Sequence, residues 1–318
     1  MLSKRRPDLS SGLLYSLNDT SPEAKSWWSR SDVTDALALL EHAPQFSHGN
    51  RVVSLHTGGV SLDDLAFAFE IGLGPVKHPA KIPAGIGVTW YGVNTEQSVT
   101  DLATVHGLLW KIKPRLLIEI GTMCGSSAVV LAKMMRDYDA SARVVTFDKT
   151  SPEQRGAKCT LPTSGYGSPH WSALKASGNL VSIIGDATSN ESLTMLRREA
   201  KESGGPVFVI DDASHVASLT VSLFNALSPL VSVGSYYLVQ DTRLDYDCAL
   251  SFLTMKPGSV YWYCRRIQAE GGPARAVATI KRQRDFLRSW KQDRSVEQWV
   301  ITQHPGGYLK RVRGRGRL

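Results

Sequence analysis

The chain has 318 residues, 42% apolar and 21% charged. That is an ordinary globular composition, long enough to bury a core without disulfides or structural metal. No apolar run reaches the roughly 20 residues of a membrane-spanning helix, and the basic start Met1-Leu-Ser-Lys-Arg-Arg is not followed by the apolar stretch of a secretory signal; a cytoplasmic protein without a membrane span is expected.

The net charge of +8 draws partly on Arg311, Arg313, Arg315 and Arg317. Few aromatic side chains interleave with them to stack on bases, so 314–318 reads as a solvated basic tail and nucleic acid is not an expected partner. Cys124, Cys159, Cys248 and Cys264 are spaced too widely for a zinc knuckle or a redox pair, and reduced thiols are expected.

Residues 1–92 read as a helical extension and linker. A capping serine and an early proline at Ser21-Pro22 start one helix. A second covers Val33 to His42, and a third, Leu62 to Ile71, spaces Leu62, Leu65, Ala66 and Phe69 on one face. Gly74 to Gly92 reads as a Pro/Gly-rich linker. A domain over 93–313 follows. Val99, Leu102, Val105, Leu109 and Ile112 mark a helix stopped by Pro114. Strands are then expected at Leu116–Ile120, Arg143–Phe147, Leu180–Ile184, Val207–Ile210 and Tyr236–Gln240. Helices are expected at Ser126–Tyr138, Glu191–Glu202 and His215–Leu227, and a long loop from Lys149 to about Pro169. This alternation predicts a doubly wound, mostly parallel sheet. Pro273 to Trp290 reads as helix. Gln298–Thr302 and Tyr308–Val312 read as a terminal antiparallel hairpin, which brings the sheet to seven strands in the layout of the Rossmann-like class I methyltransferases.

Ligands of such sheets bind beyond the carboxyl ends of the strands. The first strand runs into Glu119-Ile-Gly121-Thr122-Met-Cys-Gly125-Ser126-Ser127, where two glycines permit a sharp turn and close approach of a ligand. Glu119 can attract a cationic amino group. Asp148, ending the second strand, can accept ribose hydroxyls, and Asp186, after the third, an adenine amino group. Asp211 stands at the next strand end. Three acidic positions at three successive strand ends, without the third glycine of a dinucleotide turn, point to S-adenosylmethionine. Beyond it, Asp212, Gln240 and Asp241 can offer oxygens to a hard cation, Mg²⁺, that lowers the pKa of an acceptor hydroxyl. His215 is placed to take the proton, making His215 and Asp212 the candidate catalytic residues. The bland alternative is that Asp211 or Asp212 caps the following helix.

Taken together, Ile118-Glu-Ile-Gly-Thr-Met-Cys-Gly-Ser-Ser127, Asp212-Ala-Ser-His215, Pro229-Leu-Val-Ser-Val-Gly-Ser-Tyr236, Val239-Gln-Asp-Thr242, Gly272-Pro-Ala-Arg-Ala276 and Pro305-Gly-Gly-Tyr-Leu-Lys-Arg311 resemble the cephalosporin hydroxylase and rhamnosyl O-methyltransferase family. The likeness runs from about Trp90 to Arg313. It implies S-adenosylmethionine, a Mg²⁺ site, frequent homo-oligomers, and a hydroxylated small-molecule acceptor: a sugar, glycolipid or antibiotic. Where the family usually has Glu, this chain has Gln240, whose amide can still donate an oxygen. The leading expectation is an O-methyltransferase. Alternatives are a component of an oxidative tailoring system, a non-catalytic cofactor-binding scaffold and, more weakly, a nucleotide-linked dehydrogenase. Trp90, Tyr91, Tyr166, His170 and Trp171 are candidate acceptor-pocket aromatics.

Overall fold

The computed structural model describes residues 88–314, apart from 96, 98, 214, 246–247, 249–261, 297–303 and 305, together with two short strands at 46–48 and 51–53. Those two, β1 (Phe46–His48) and β2 (Arg51–Val53), pair antiparallel. The three helices expected before residue 72 lie outside the described residues, as does the strand expected at Gln298–Thr302.

The last part of the expected linker is a hairpin. β3 (Val88–Trp90) and β4 (Val93–Thr95) pair antiparallel. Tyr91 (φ 52) and Gly92 (φ 76) form the turn, and two successive positive φ values suit the twist of a tight hairpin. The hairpin packs on the domain: Val93 is buried in the core, and Asn94 N–H donates to the Thr163 carbonyl at 2.7 Å.

The main sheet has seven strands in the order β10-β11-β9-β8-β5-β6-β7. Between its strands run α1 (Val99–Ile112), β5 (Leu116–Ile120), α2 (Ser126–Arg136), β6 (Arg143–Asp148), α3 (Pro169–Ala176), β7 (Leu180–Ile184), α4 (Asn190–Ser203), β8 (Val207–Asp211), α5 (Ala217–Leu227), β9 (Tyr236–Val239), α6 (Trp262–Glu270), α7 (Pro273–Arg282), α8 (Arg284–Ser289), β10 (Trp290–Gln292) and β11 (Tyr308–Arg311). β7, β6, β5, β8 and β9 are parallel, whereas β11 is antiparallel to both β9 and β10.

Successive residues of a strand face opposite sides of a sheet, and the sheet is covered on both. Leu117, Val144, Phe208, Ile210 and Leu238 pack with residues of α1, α2 and α3. Ile118, Val145, Val209, Tyr237 and Val239 pack with residues of α4, α5, α7 and α8. Fully burying one such side chain is worth about 1.5–3 kcal/mol.

Four expectations are corrected. The helix read over Pro273–Trp290 breaks at Gln283, whose ψ of 141 is extended, and Trp290 opens β10. β10 is therefore the hairpin partner of β11, whose other edge is taken by β9. The helix read from His215 starts at Ala217, because His215 turns into the left-handed region (φ 56). The cysteines are paired, Cys124 with Cys159 and Cys248 with Cys264. Arg311, ahead of the basic tail, is structural: its guanidinium donates to the carbonyls of Pro229 and Val231.

Candidate functional site

β5 delivers its carboxyl end to the middle of the sheet edge, and the turn after it is tight. Gly121 takes φ +110, and a Cβ there would lie 2.0 Å from the Asp212 carbonyl oxygen. Gly125 takes φ +75, and a Cβ there would lie 2.3 Å from the Trp171 ring. Both positions thus require glycine for left-handed backbone and for space. Met123 between them is also left-handed (φ 48), and its N–H donates to Asp148 Oδ2 at 2.8 Å.

Glu119 lies on the sheet face shared with Leu117 and is 1% exposed. Thr146 Oγ1 donates to its Oε2 at 2.6 Å, and Thr122 Oγ1 stands 2.6 Å from Thr146 Oγ1. Burial pushes the Glu119 carboxyl up to about 7; hydrogen bonds from Ser127 and Thr146 work against the rise, and the neighbouring Asp148 charge adds to it. A buried acid poised near neutrality suits a site that receives a cation.

Asp148 is more engaged than its sequence position tells. Besides the Met123 amide, it accepts from Thr150 N–H at 3.0 Å and from Arg155 Nη2 at 2.6 Å. Three of the roughly four lone-pair positions of a carboxylate are then in use. Asp186 is half exposed. Its Oδ1 accepts from the Thr188 amide (2.8 Å) and hydroxyl (2.7 Å), which hold its pKa down, and Lys149 stands 3.8 Å from its Oδ2. Asp211 faces away from this group: buried on the opposite side of the sheet, it accepts from the Tyr237 hydroxyl at 3.1 Å, and burial raises its pKa to about 7.

The loop after β6 is fastened to the glycine turn, a feature the sequence reading missed. The Cys124–Cys159 disulfide joins them, Tyr166 N–H donates to the Cys124 carbonyl (2.8 Å), and Gly165 N–H donates to Ser126 Oγ (3.0 Å). Of the aromatics expected to line an acceptor pocket, Tyr166 and Trp171 take part in this anchorage, and His170 meets Tyr91 beside it. Trp171 is buried against Gly125, Tyr166 meets it edge-on at 5.7 Å, and His170 Nε2 lies 3.1 Å from the Tyr91 carbonyl.

Next to the turn, β8 and β9 bring the second group together. Asp212 N–H donates to the Ile120 carbonyl (2.8 Å), and Gln240 N–H to the Asp211 carbonyl (2.9 Å), so the ladder continues past the strand ends. His215 Nε2 lies 3.9 Å from Asp212 Oδ1 and 3.6 Å from Asp241 Oδ2. One ligand atom from each of Asp212, His215 and Asp241 lies within 4.8 Å of the others, and all three residues are partly exposed. Two carboxylates and an imidazole at an opening form a donor set that a divalent cation fits. Gln240, at the end of β9, is 2% exposed, and its Oε1 accepts from Gln97 Nε2 at 3.1 Å inside the protein.

A five-stranded parallel sheet ending in one antiparallel insertion, with a glycine turn after the central strand and acids at the neighbouring strand ends, defines a class I methyltransferase. Residues 86–312 match the family described as Rhamnosyl O-methyltransferase/CmcI, and the chain belongs to it. It is thereby an S-adenosylmethionine-dependent O-methyltransferase. A rhamnosyl O-methyltransferase of Mycobacterium bovis (strain BCG / Pasteur 1173P2) is 26% identical over 224 residues, covering 70% of this chain and 78% of that protein. A Streptomyces olivaceus 8-demethyl-8-(2-methoxy-alpha-L-rhamnosyl)-tetracenomycin-C 3'-O-methyltransferase is 32% identical over 112 residues, 35% of this chain and 24% of that one. Among solved structures, CmcI with Mg and SAM is 18% identical, with a TM-score of 0.48 over 86% of this chain and 90% of that one. Among the described residues no helix is long and apolar enough to cross a membrane.

Proposed function

We propose that the chain moves the methyl group of S-adenosylmethionine onto a sugar hydroxyl, a rhamnosyl hydroxyl of a glycosylated small molecule, with Mg²⁺ held by Asp212 and Asp241. The named relatives support the acceptor class. The observation that carries the reading is the convergence of Asp212, His215 and Asp241 beside the glycine turn, which Asp212 touches through its carbonyl at Gly121.

Bound S-adenosylmethionine supplies an electrophilic methyl, and a bound cation lowers the pKa of a hydroxyl placed against it. The chain's own part is placement and proton removal. Glu119 would hold the cofactor's ammonium, and Asp148 would hold its ribose hydroxyls. Thr122 and Ser127 tune Glu119, and Ser126 holds the loop. Asp186 completes the row at the adenine side. His215 Nε2, which faces both aspartates, takes the proton of the acceptor hydroxyl. A second reading makes His215 the third ligand of the cation, favoured by its distances to both aspartates. The catalytic unit begins no later than the hairpin at Val88, and a homo-oligomer is part of the proposal, to be checked by light scattering.

The test is methyl transfer from labelled cofactor onto rhamnosylated acceptors, with chelator and with Mg²⁺ restored. Transfer that fails in chelator and returns with Mg²⁺ supports the reading. Full turnover in excess chelator removes the cation from it. Binding of S-adenosylhomocysteine without transfer to any hydroxylated glycoside removes the sugar acceptor from the reading.

A further inference from the structure

Asp241 leaves β9 with φ 54, in the left-handed region. Its N–H donates to Nδ1 of His304 at 2.8 Å. A backbone amide can only donate, so this Nδ1 carries a lone pair and the ring proton sits on Nε2. That Nε2 lies 3.9 Å from Asp101 Oδ2 on α1, and both side chains are 1% exposed. The His304 backbone is fixed too: Gly307 N–H donates to its carbonyl (2.9 Å), and the Gly307 carbonyl accepts from Val239 N–H (3.0 Å), stitching the turn to the end of β9. Asp101, His304 and the Asp241 amide thus form one buried line that ends at a partly exposed carboxylate, itself 3.8 Å from the ring.

We infer that His304 is a positioning residue: its Nδ1 holds the Asp241 backbone in the left-handed turn and so aims the Asp241 carboxylate at Asp212 and His215. The inference rests on the reading of that cluster as a cation site. The hydrogen bond occupies the donor that an extended Asp241 would turn elsewhere, and the Asp101 carboxylate favours the Nε2–H tautomer that leaves Nδ1 free to accept. Groups behind a metal ligand that set its orientation commonly change metal affinity 10–100-fold when removed. An asparagine at 304 places its Oδ1 near where Nδ1 stands and can accept the same N–H; a leucine fills space and accepts nothing.

The experiment measures Mn²⁺ binding by electron paramagnetic resonance on the full chain, with S-adenosylhomocysteine affinity alongside. His304→Leu should weaken Mn²⁺ about 10–100-fold and leave cofactor affinity within about twofold, while His304→Asn stays within about threefold of the parent. A folded His304→Leu with unchanged Mn²⁺ affinity, or a His304→Asn as weak as His304→Leu, overturns the inference, the latter because ring volume rather than the acceptor would then matter. Should His304→Leu not fold, the ¹⁵N shifts of the His304 ring decide: a bare Nδ1 with retained binding in His304→Asn supports it, and a protonated Nδ1 overturns it. Asp241→Ala separates the two levels. If it abolishes Mn²⁺ binding while His304→Leu does not, only the positioning role falls; if it changes nothing, the cation site falls and the role with it.

Discussion

The carbonyl oxygen of Asp212 occupies the space that a side chain on Gly121 would need, 2.0 Å from an ideal Cβ. The cofactor turn and the candidate cation site therefore share one backbone contact. Gly121→Ala should lose about 1–3 kcal/mol from the φ of +110 alone, and more from displacing Asp212. Both S-adenosylhomocysteine and Mn²⁺ should bind more weakly in calorimetry. A variant with the parent's melting temperature and affinities would show that the two turns yield independently.

Glu119 links cofactor binding to pH. Its carboxyl is raised from 4.5 to about 7 in the folded chain, and Asp211 from 3.8 to about 7. A raised acid keeps in the native state a proton that the unfolded chain has released, so stability should fall as pH climbs from about 4 to about 7. A cofactor ammonium at Glu119 pulls the other way and favours the anion. At pH 6, binding should expel protons, seen as heats that differ between buffers of unlike ionisation enthalpy, and affinity should rise toward pH 8. Glu119→Gln should lose that dependence and Asp211→Asn should keep it. Buffer-independent heats in the parent would remove Glu119 as the counter-ion.

His215 has two roles to separate. As a base, its loss lowers turnover roughly 10²–10⁴-fold with Mn²⁺ affinity intact, and the loss shrinks on an acidic phenol acceptor. As a ligand, its loss weakens Mn²⁺ first. His215→Ala measured by both turnover and paramagnetic resonance distinguishes them, and the expected result is the first. Near-normal turnover on a sugar hydroxyl would dismiss both.

Arg155 competes for the acid assigned to ribose. It bonds Asp148 Oδ1 at 2.6 Å, on a carboxylate that already holds two amides. Asp148→Ala should weaken S-adenosylhomocysteine by the loss of charge-assisted bonds worth about 1.5–3 kcal/mol each, whereas Arg155→Ala should bind it as tightly or more so. Weaker binding in Arg155→Ala would mean that the guanidinium itself meets the cofactor.

The Cys124–Cys159 link closes a separation of 35 residues, for which the loss of unfolded-chain entropy is typically about 2–4 kcal/mol. Cys159→Ser should melt lower under oxidising conditions and match the parent under a dithiol reductant. Equal melting in both conditions would show that the thiols are not joined in solution.

Much of the fold was legible because buried parallel strands are short, mostly apolar runs; Leu116–Ile120 and Val207–Asp211 are buried throughout, and each carries one acid near its carboxyl end. What escaped depended on distant partners. α3 buries only Trp171 and Leu174 within a Ser/Gly-rich stretch, too few for a helical period to stand out. β10 is three residues long and exists by pairing with β11, so nothing local separates it from the end of a helix. The cysteine pairing is likewise a matter of the loop folding back, which spacing does not encode. The burial of Gln240 against Gln97 escaped for the same reason, because in a sheet packed on both faces alternation does not tell which strand-end side chain stays inside. His304 lay in a His-Pro-Gly-Gly turn that reads as punctuation, and only the fold shows what its ring touches.

β11 lies between β9 and β10 but follows both in the chain. While the chain is being made, β9 exposes one bare edge and β10 has no neighbour in the sheet until residues 308–311 have left the ribosome. The sheet is thus completed by the latest in sequence of its seven described strands. A growing chain can form the glycine turn and the Asp212–Asp241 edge early, yet it carries an open strand edge able to pair with other chains until Tyr308–Arg311 has been made. Premature termination just ahead of Tyr308 therefore yields a product with almost all the site's residues and a sheet that cannot close.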